Sequence, residues 1–214
     1  MLAFKEFLRL DEMSPRLVDR ELPYYMSKMP FYSIDTLNSE FDILINAKMS
    51  ARGKIVVAIK KDKSYAVIGK VSKRPSDKKL GIYIYGRLDF KSNLDINDKN
   101  TPTFQDKKII QVDGVEIIKE LKRQGYGYLL YFILINSGYS IISDNVQYLG
   151  GQALWKKIAN EAKFNNYKVY VLDNGELRKK DNELVFYDGS NIKDSDIWSS
   201  NYDKYHTLFL ATLK

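Results

Sequence analysis

The chain of 214 residues has no cysteine and a single histidine, His206. The absence of cysteine excludes a disulfide scaffold, a cysteine-ligated zinc site and a thiol nucleophile. One histidine cannot build a histidine-rich metal site, and it argues against a Ser-His-Asp triad. We therefore predict no metal cofactor.

Long apolar runs are lacking as well. No segment approaches the ~20 consecutive apolar residues that a membrane-spanning helix needs. Charged and apolar residues alternate over residues 1–12, which is not the pattern of a secretory signal. We therefore expect no membrane association and a cytoplasmic location, or the host cytoplasm or virion if a phage encodes the chain.

The net charge of +7 is spread unevenly along the chain. Residues 51–90 contain 11 Lys and Arg against 3 Asp, whereas the remainder contains 23 basic and 24 acidic residues. Such a cluster can be the solvated face of lysine-rich strands, a surface for nucleic acid, or a surface for an acidic protein partner. The composition alone leaves all three open.

The pattern of apolar residues predicts a mixed α+β fold. Its core would be a twisted, mostly antiparallel sheet flanked by helices, because short polar turns separate the first strands and helices alternate with strands later. Residues 1–40 are predicted to form an N-terminal helical extension, including a short helix at 17–22, and residues 41–214 the main domain. The predicted strands are 41–47, 54–60, 65–71, 80–90, 109–118, 139–143, 168–172, 183–187 and 207–213, and the predicted helices are 126–136 and 151–164.

A glycine-containing turn joins the strand at 109–118 to the helix at 126–136. Gly125 and Gly127 allow a tight backbone turn, and the helix that follows presents the positive end of its dipole. Lys122 and Arg123 add positive charge beside it. Such a turn is suited to a pyrophosphate group held by backbone N–H groups.

The same segment resembles motif A of the GNAT superfamily of N-acetyltransferases, in which a strand ends in an Arg/Gln-x-x-Gly-x-Gly/Ala turn. Lys122 stands in the Arg/Gln position, and Gly125 and Gly127 stand in the glycine positions. The resemblance covers residues 115–158 in recognisable residues and about residues 54–213 in the order of elements. It implies a GNAT-like fold and an acyl-CoA-dependent N-acyltransferase that moves an acetyl group from acetyl-CoA directly to an amine.

The resemblance also implies which residues hold the donor. Backbone amides of the turn would bind the pyrophosphate, and the backbone of the preceding strand would bind the pantetheine arm in a gap beside the strand at 139–143. The residues predicted to bind the cofactor are Val115, Ile117, Lys122, Arg123, Gln124, Gly125, Tyr126, Gly127, Tyr128 and Asn145.

Proton transfer requires a base for the amine and an acid for the leaving thiolate. The resemblance implies a carboxylate on the strand before the turn as base, and Asp113 and Glu116 are the candidates. The family's tyrosine on the second helix is replaced by Trp155, whose indole N–H cannot act as a general acid. Tyr148, Tyr126 or a water molecule remains as the acid.

An alternative interpretation is a binding or structural module with a GNAT fold and little or no activity, acting on nucleic acid or in a phage particle. The missing tyrosine and the basic segment at 51–90 favour it. The amphipathic residues 4–8 also resemble the N-termini of some internal head proteins of tailed phages.

Overall fold

The computed structural model describes residues 16–18, 30–49, 53–92, 108–144, 146–173, 176–198 and 207–214. The chain divides into two compact units. The meander unit contains residues 23–91 and 113–137, and the tryptophan unit contains residues 1–22, 92–112 and 138–214. Strand β7 (Lys108–Ile117) contributes its first half to the tryptophan unit and its second half to the meander unit.

The meander unit is built on consecutive antiparallel strands joined by short turns. The strands run in the order β3-β4-β5-β6, and β2 pairs with β6. Helix α1 follows β2, and helix α2 follows the second half of β7. The bounds are β2 Phe31–Ser33, α1 Ile34–Glu40, β3 Phe41–Met49, β4 Gly53–Lys60, β5 Tyr65–Lys73, β6 Leu80–Lys91 and α2 Tyr126–Asn136.

Both faces of this sheet are buried. On one face, Leu37 and Phe41 pack in a cluster with Val56, Val67 and Ile82. The alternating residues Ile55, Val57 and Ile59 are buried too, and α2 packs against β3, β5 and β6. Side chains alternate between the faces of a strand, so the near-continuous apolar runs of β4 and β5 follow from burial on both sides.

The tryptophan unit places its strands in the order β10-β14-β8-β7. The first half of β7 pairs parallel with β8, from Lys108 opposite Tyr139 to Gln111 opposite Ile142. Strand β14 pairs antiparallel with both β8 and β10. The bounds are β1 Arg16–Val18, β8 Tyr139–Ile142, β9 Val146–Tyr148, α3 Leu149–Ala162, β10 Tyr167–Asp173, β11 Glu176–Leu177, β12 Lys179–Lys180, β13 Glu183–Leu184 and β14 Thr207–Leu213.

Aromatic stacking fills the core of the tryptophan unit. The ring of Phe209 stacks on Trp155 at 5.3 Å and on Tyr187 at 4.9 Å, measured between centroids. Trp198 packs on the same ring at 5.4 Å, and its indole N–H donates to Gln147 Oε1 at 2.9 Å. Large aromatic side chains of this kind dominate the apolar area that a core buries.

The mixed α+β class and the mostly antiparallel sheet are confirmed. The helix at 126–136 and the strand at 207–213 have the predicted bounds. The helix predicted at 17–22 is wrong at Leu17 and Val18, because these residues pair in a parallel ladder with Gln147 and Tyr148. Residues 1–15 and 19–29 of the predicted extension lie outside the described residues, and residues 34–40 are helical.

The strand predicted at 183–187 is shorter in the structure. Only Glu183–Leu184 is a strand, and it forms a small hairpin with Lys179–Lys180. Asp181 and Asn182 turn this hairpin with positive φ angles of 52° and 66°. Beyond this hairpin, Phe186 forms a single antiparallel bridge with Tyr170, and Tyr187 N–H donates to Val169 O at 2.9 Å, so residues 185–187 lie along β10 without forming a continuous strand. None of the helices among the described residues has the length and apolarity to cross a bilayer.

Candidate functional site

The strand that leads into the glycine turn is fixed against β6. Ile118 N–H donates to the carbonyl of Tyr85 at 2.9 Å, and Lys91 pairs with Asp113, so the second half of β7 runs antiparallel to β6. A Cβ on Gly86 would clash with Ile117 Cδ1, which shows that the Ile117 side chain lies directly on β6. Because strand side chains alternate, Val115 shares that face and Glu116 lies on the opposite one.

The turn itself contains two residues in the left-handed region. A short 3₁₀ turn, Lys119–Leu121, precedes Arg123 with φ 62° and Gly125 with φ 86°. A Cβ added to Gly125 would meet nothing within 4 Å. Glycine is therefore favoured here by backbone conformation rather than by a neighbouring atom. The same result means that the space beside Gly125 is open.

Backbone hydrogen bonds hold the turn together. Lys122 N–H donates to Lys119 O at 3.3 Å, and Gln124 N–H donates to Leu121 O at 3.4 Å. The Gln124 side chain also donates to the carbonyl of Glu120, at 3.1 Å. The backbone amide of Gln124, which is among the residues predicted to bind the cofactor, is thus directed into the turn in this conformation.

Helix α2 begins at Gly125, which is its N-cap and offers no capping side chain. The first helical bond runs from Leu129 N–H to Gly125 O at 3.0 Å. The positive end of the helix dipole therefore lies at the turn, close to the half-buried Lys122 and the exposed Arg123. Gly127 lies in the first turn of the helix.

Two tyrosines anchor the beginning of α2. Tyr126 is 4% exposed, and its ring packs edge-to-face on Tyr85 with 5.2 Å between centroids. Burial raises the pKa of Tyr85, and Tyr126 adds to the rise. Tyr128 stacks on Phe132 at 5.8 Å. The packing role of Tyr126 argues against it as the acid of an acyl transfer.

The two candidate bases differ in their surroundings. Asp113 is exposed and forms an ion pair of 2.9 Å with Lys91. Glu116 is half-buried, and within the described part of the chain its carboxylate has no ion pair. The two carboxylates therefore differ in whether a cation contacts them, and we take Glu116 as the first candidate base because no ammonium or guanidinium group holds it among the described residues.

The remaining predicted residues belong to the tryptophan unit. Tyr148 is half-buried and is the N-cap residue of α3. Trp155 is 2% exposed and stacks in the core on Phe209. Asn145 lies outside the described residues. Asp113, Glu116 and the turn lie together in the meander unit, and Tyr148 does not belong to it.

Three features of these regions could not be predicted from any local pattern in the sequence. The left-handed backbone at Arg123 is uncommon for a residue with a side chain. The ion pair between Lys91 and Asp113 joins residues that are distant in sequence. The hydroxyl of Tyr187 is buried and, in the described part of the chain, has no hydrogen-bond partner. Each depends on which elements pack together.

A shallow surface groove occurs elsewhere, beside α3. Its lining includes Lys156, Lys157, Asn160 and Asp188, and none of the predicted site residues lines it. Among the described residues, no three His, Asp or Glu side chains are grouped so that they could hold a metal ion.

Comparison with known proteins adds no relative. No protein-family model matches the chain, and no curated protein matches it in sequence. Function is therefore inferred from the geometry of the turn and from the spacing of its residues.

Proposed function

We propose that the chain binds acyl-CoA at the turn of residues 122–127 and transfers its acetyl group to an amine. The observation that carries the proposal is the pair of left-handed residues, Arg123 and Gly125, at the N-terminus of a buried helix. Turns of this conformation bring backbone N–H groups to one concave side, where an anion binds. The open space beside Gly125 leaves room for it.

The order of elements supports CoA over a nucleotide. The turn connects strand β7 to helix α2, and β8 then returns parallel to β7. That arrangement agrees with the resemblance to the GNAT superfamily, in which the donor's pyrophosphate lies on this turn. Lys122 and Arg123 would add charge to the backbone contacts. The predicted gap for the pantetheine arm involves residues of both units and stays a prediction.

The proposed reaction is a direct transfer between two bound substrates. Glu116, acting through a water molecule, takes a proton from the amine, whose nitrogen then attacks the thioester carbonyl carbon. The carbon–sulfur bond breaks, the nitrogen gives its second proton to water, and the CoA thiolate takes a proton from water. Tyr148 belongs to the other unit, and its role as that acid stays a prediction. Asp113 is the second candidate base, although its charge is compensated by Lys91.

Binding is tested by titration calorimetry with acetyl-CoA on two matched variants. Gly125→Ala and Gly138→Ala place the same methyl group on residues with φ 86° and 87°, and neither methyl meets an atom within 4 Å. The two glycines lie at opposite ends of α2, about 16 Å apart along an 11-residue helix. Only the Gly125 variant disturbs the proposed site.

We expect Gly125→Ala to weaken acetyl-CoA binding at least about tenfold, the equivalent of about 1.4 kcal/mol. Gly138→Ala should bind like the parent. No heat of binding at millimolar acetyl-CoA, or equal losses in the two variants, would overturn the placement of the site.

Catalysis is tested separately, by following release of the CoA thiol with a thiol reagent. A lysine-containing peptide, a polyamine and an aminoglycoside serve as amine acceptors. Loss of a general base lowers kcat by roughly 10²–10⁴. We expect that loss for Glu116→Gln and less than a tenfold change for Asp113→Asn. The reverse ranking would assign the base to Asp113, and binding without turnover of any acceptor would contradict a transferase.

A further inference from the structure

The basic residues of segment 51–90 separate into two groups at opposite ends of the strands β4, β5 and β6. At the end that contains the turn 61–64, most basic groups have acidic or carbonyl partners. Lys61 Nζ donates to the carbonyls of Asn38 and Ser39 at 2.9 and 2.8 Å. The ion pairs at this end are Lys60–Asp62 at 3.2 Å, Lys63–Asp42 at 2.6 Å and Arg87–Asp89.

The opposite end, here called the lysine end, comprises Lys54, Lys70, Lys73, Lys78 and Lys79. The pairing of Ile55 with Lys70 and of Lys73 with Leu80 brings the start of β4, the end of β5 and the start of β6 together there. Four of the five lysines are exposed, and Lys70 is half-buried.

Charge at the lysine end is not compensated within the described residues. None of its five ammonium groups forms an ion pair there. The carboxylate of Asp77, which lies in the same hairpin, is already held by the guanidinium of Arg74, with Nε to Oδ1 at 3.0 Å. The two ends thus have similar numbers of basic residues. Those at the turn 61–64 mostly have partners, whereas the five lysines of the lysine end form no ion pair within the described residues.

Aromatic rings at this end are occupied by packing. Phe31 and Tyr83 meet edge-to-face at 5.0 Å, and the Arg74 guanidinium lies 4.9 Å from the centre of the Phe31 ring. Tyr85, two residues further along β6 than Tyr83, packs on Tyr126. A mode of binding in which bases stack on these rings therefore has little support, and the charge is the feature that a partner would contact.

We propose that the lysine end binds the phosphate backbone of nucleic acid without sequence preference. Its lysines are point charges on β4, on β5 and on the turn that joins β5 to β6, and these neighbouring strands lie about 5 Å apart. Duplex DNA carries one negative charge per ~1.7 Å of its axis, and lysines that neutralise phosphates gain free energy by releasing bound counterions. An acidic peptide would need pockets for its side chains to be held specifically, whereas a uniform polyanion needs only the charge. The inference is independent of the proposed acyl transfer.

The test is fluorescence anisotropy of the full chain with a labelled 25-base-pair DNA duplex over a series of salt concentrations, without CoA. The lysine-end variant is K73Q/K78Q/K79Q. The matched control is K179Q/K180Q/K193Q, which removes three exposed lysines from the tryptophan unit and lowers the net charge equally. Exposed side chains are replaced in both, and circular dichroism confirms that each variant folds.

We expect the parent to bind the duplex and the lysine-end variant to lose at least about tenfold in affinity at 50 mM salt. Each phosphate contact contributes about 0.9 to the slope of log K against log salt, so the loss of three contacts should make the slope shallower by about 2.7. The control variant should keep the parent's slope.

Three results would overturn the proposal. One is the absence of duplex binding by the parent at 50 mM salt. A second is an equal loss in the two triple variants, which would attribute binding to net charge alone. The third is displacement of the duplex by polyglutamate as effectively as by unlabelled duplex of the same total charge, which would assign the surface to an acidic protein.

Discussion

The two longer helices, α2 and α3, differ in what fixes them. Helix α2 has no charged residue over Tyr126–Asn136, and six of its eleven residues are buried. Helix α3 buries one face through Trp155, Ile158, Ala159 and Ala162 and carries lysines on the other. Neither helix begins with a capping side chain.

The difference bears on the two parts of the proposed acyl transfer, donor binding and proton transfer. Burial of α2 fixes its position, so its first turn can tolerate a left-handed glycine and leave open space beside it. In α3, the residue that the resemblance places in the GNAT tyrosine position is the core tryptophan Trp155. The proposal of donor binding therefore has the geometry of a turn behind it, whereas Trp155 offers no acid for the proposed leaving thiolate.

The largest expected effect is on α3. Trp155→Ala removes a side chain that is 2% exposed and stacked on Phe209, so it should lower the free energy of unfolding by about 3–5 kcal/mol. Urea denaturation measures the change. Trp155→Phe keeps an aromatic ring and should lose clearly less. A loss below ~1 kcal/mol for the alanine variant would show that Trp155 does not hold α3 to its core.

The two ends of α2 should respond equally to a methyl group. Left-handed backbone is about 1–2 kcal/mol less favourable for alanine than for glycine. Gly125→Ala and Gly138→Ala should each lower the free energy of unfolding by that amount, because their φ angles match and both sites are open. Thermal unfolding of both variants measures it. A much larger loss at Gly125 would reveal packing around the turn that the structure does not show.

Two buried hydroxyls next to α3 should behave differently. Tyr167 Oη donates to the carbonyl of Ile158 at 2.7 Å, and Tyr167→Phe should lower the free energy of unfolding by about 1 kcal/mol. The Tyr187 hydroxyl has no such partner in the described part of the chain, so Tyr187→Phe should be neutral or stabilising. Equal losses, measured by urea denaturation, would indicate a water molecule on Tyr187.

The same tyrosine gives a pH dependence. Burial, with Asp194 and Asp188, raises the pKa of Tyr187 above its ordinary value near 10. Its contribution to stability is therefore complete below pH 10 and is lost as the pH rises from 10 toward the folded-state value. The free energy of unfolding should fall between pH 10 and 11, and Tyr187→Phe should reduce the slope of that fall. An unchanged slope would contradict the assignment.

The smallest effect concerns the polar face of α3. Lys156 Nζ pairs with Asp194 at 2.5 Å, but both side chains are substantially exposed. Exposed ion pairs contribute about 0.2–1 kcal/mol, so Lys156→Gln should change the free energy of unfolding by no more than that. A double-mutant cycle with Asp194→Asn isolates the pair. A coupling above ~1 kcal/mol would show that the polar face, too, fixes the helix.

Local patterns were sufficient for much of the fold. Apolar runs interrupted by short polar turns predicted β3 to β6, and the apolar run that follows the glycine turn predicted α2. Residues 17 and 18 were misassigned because strand β1 exists only through its ladder with β9, which is distant in sequence. The strand predicted at 183–187 is shorter because only Glu183–Leu184 pair within a local hairpin, and Phe186 forms a single bridge with the distant Tyr170.

For the candidate site, the sequence by itself determined the order of chemical groups: a carboxylate on a strand, then a basic turn with glycines, then an apolar helix. The spacing of the glycines carries that information because glycine adopts a left-handed backbone conformation more easily than other residues do. Only the tertiary structure decided which charged groups have a partner of opposite charge and which side chains are buried. It paired Asp113 with Lys91, placed Trp155 in a core and, within the described part of the chain, left the five ammonium groups of the lysine end without an ion pair. Charge and burial depend on neighbours that the chain brings together from distant positions, and no local pattern encodes them.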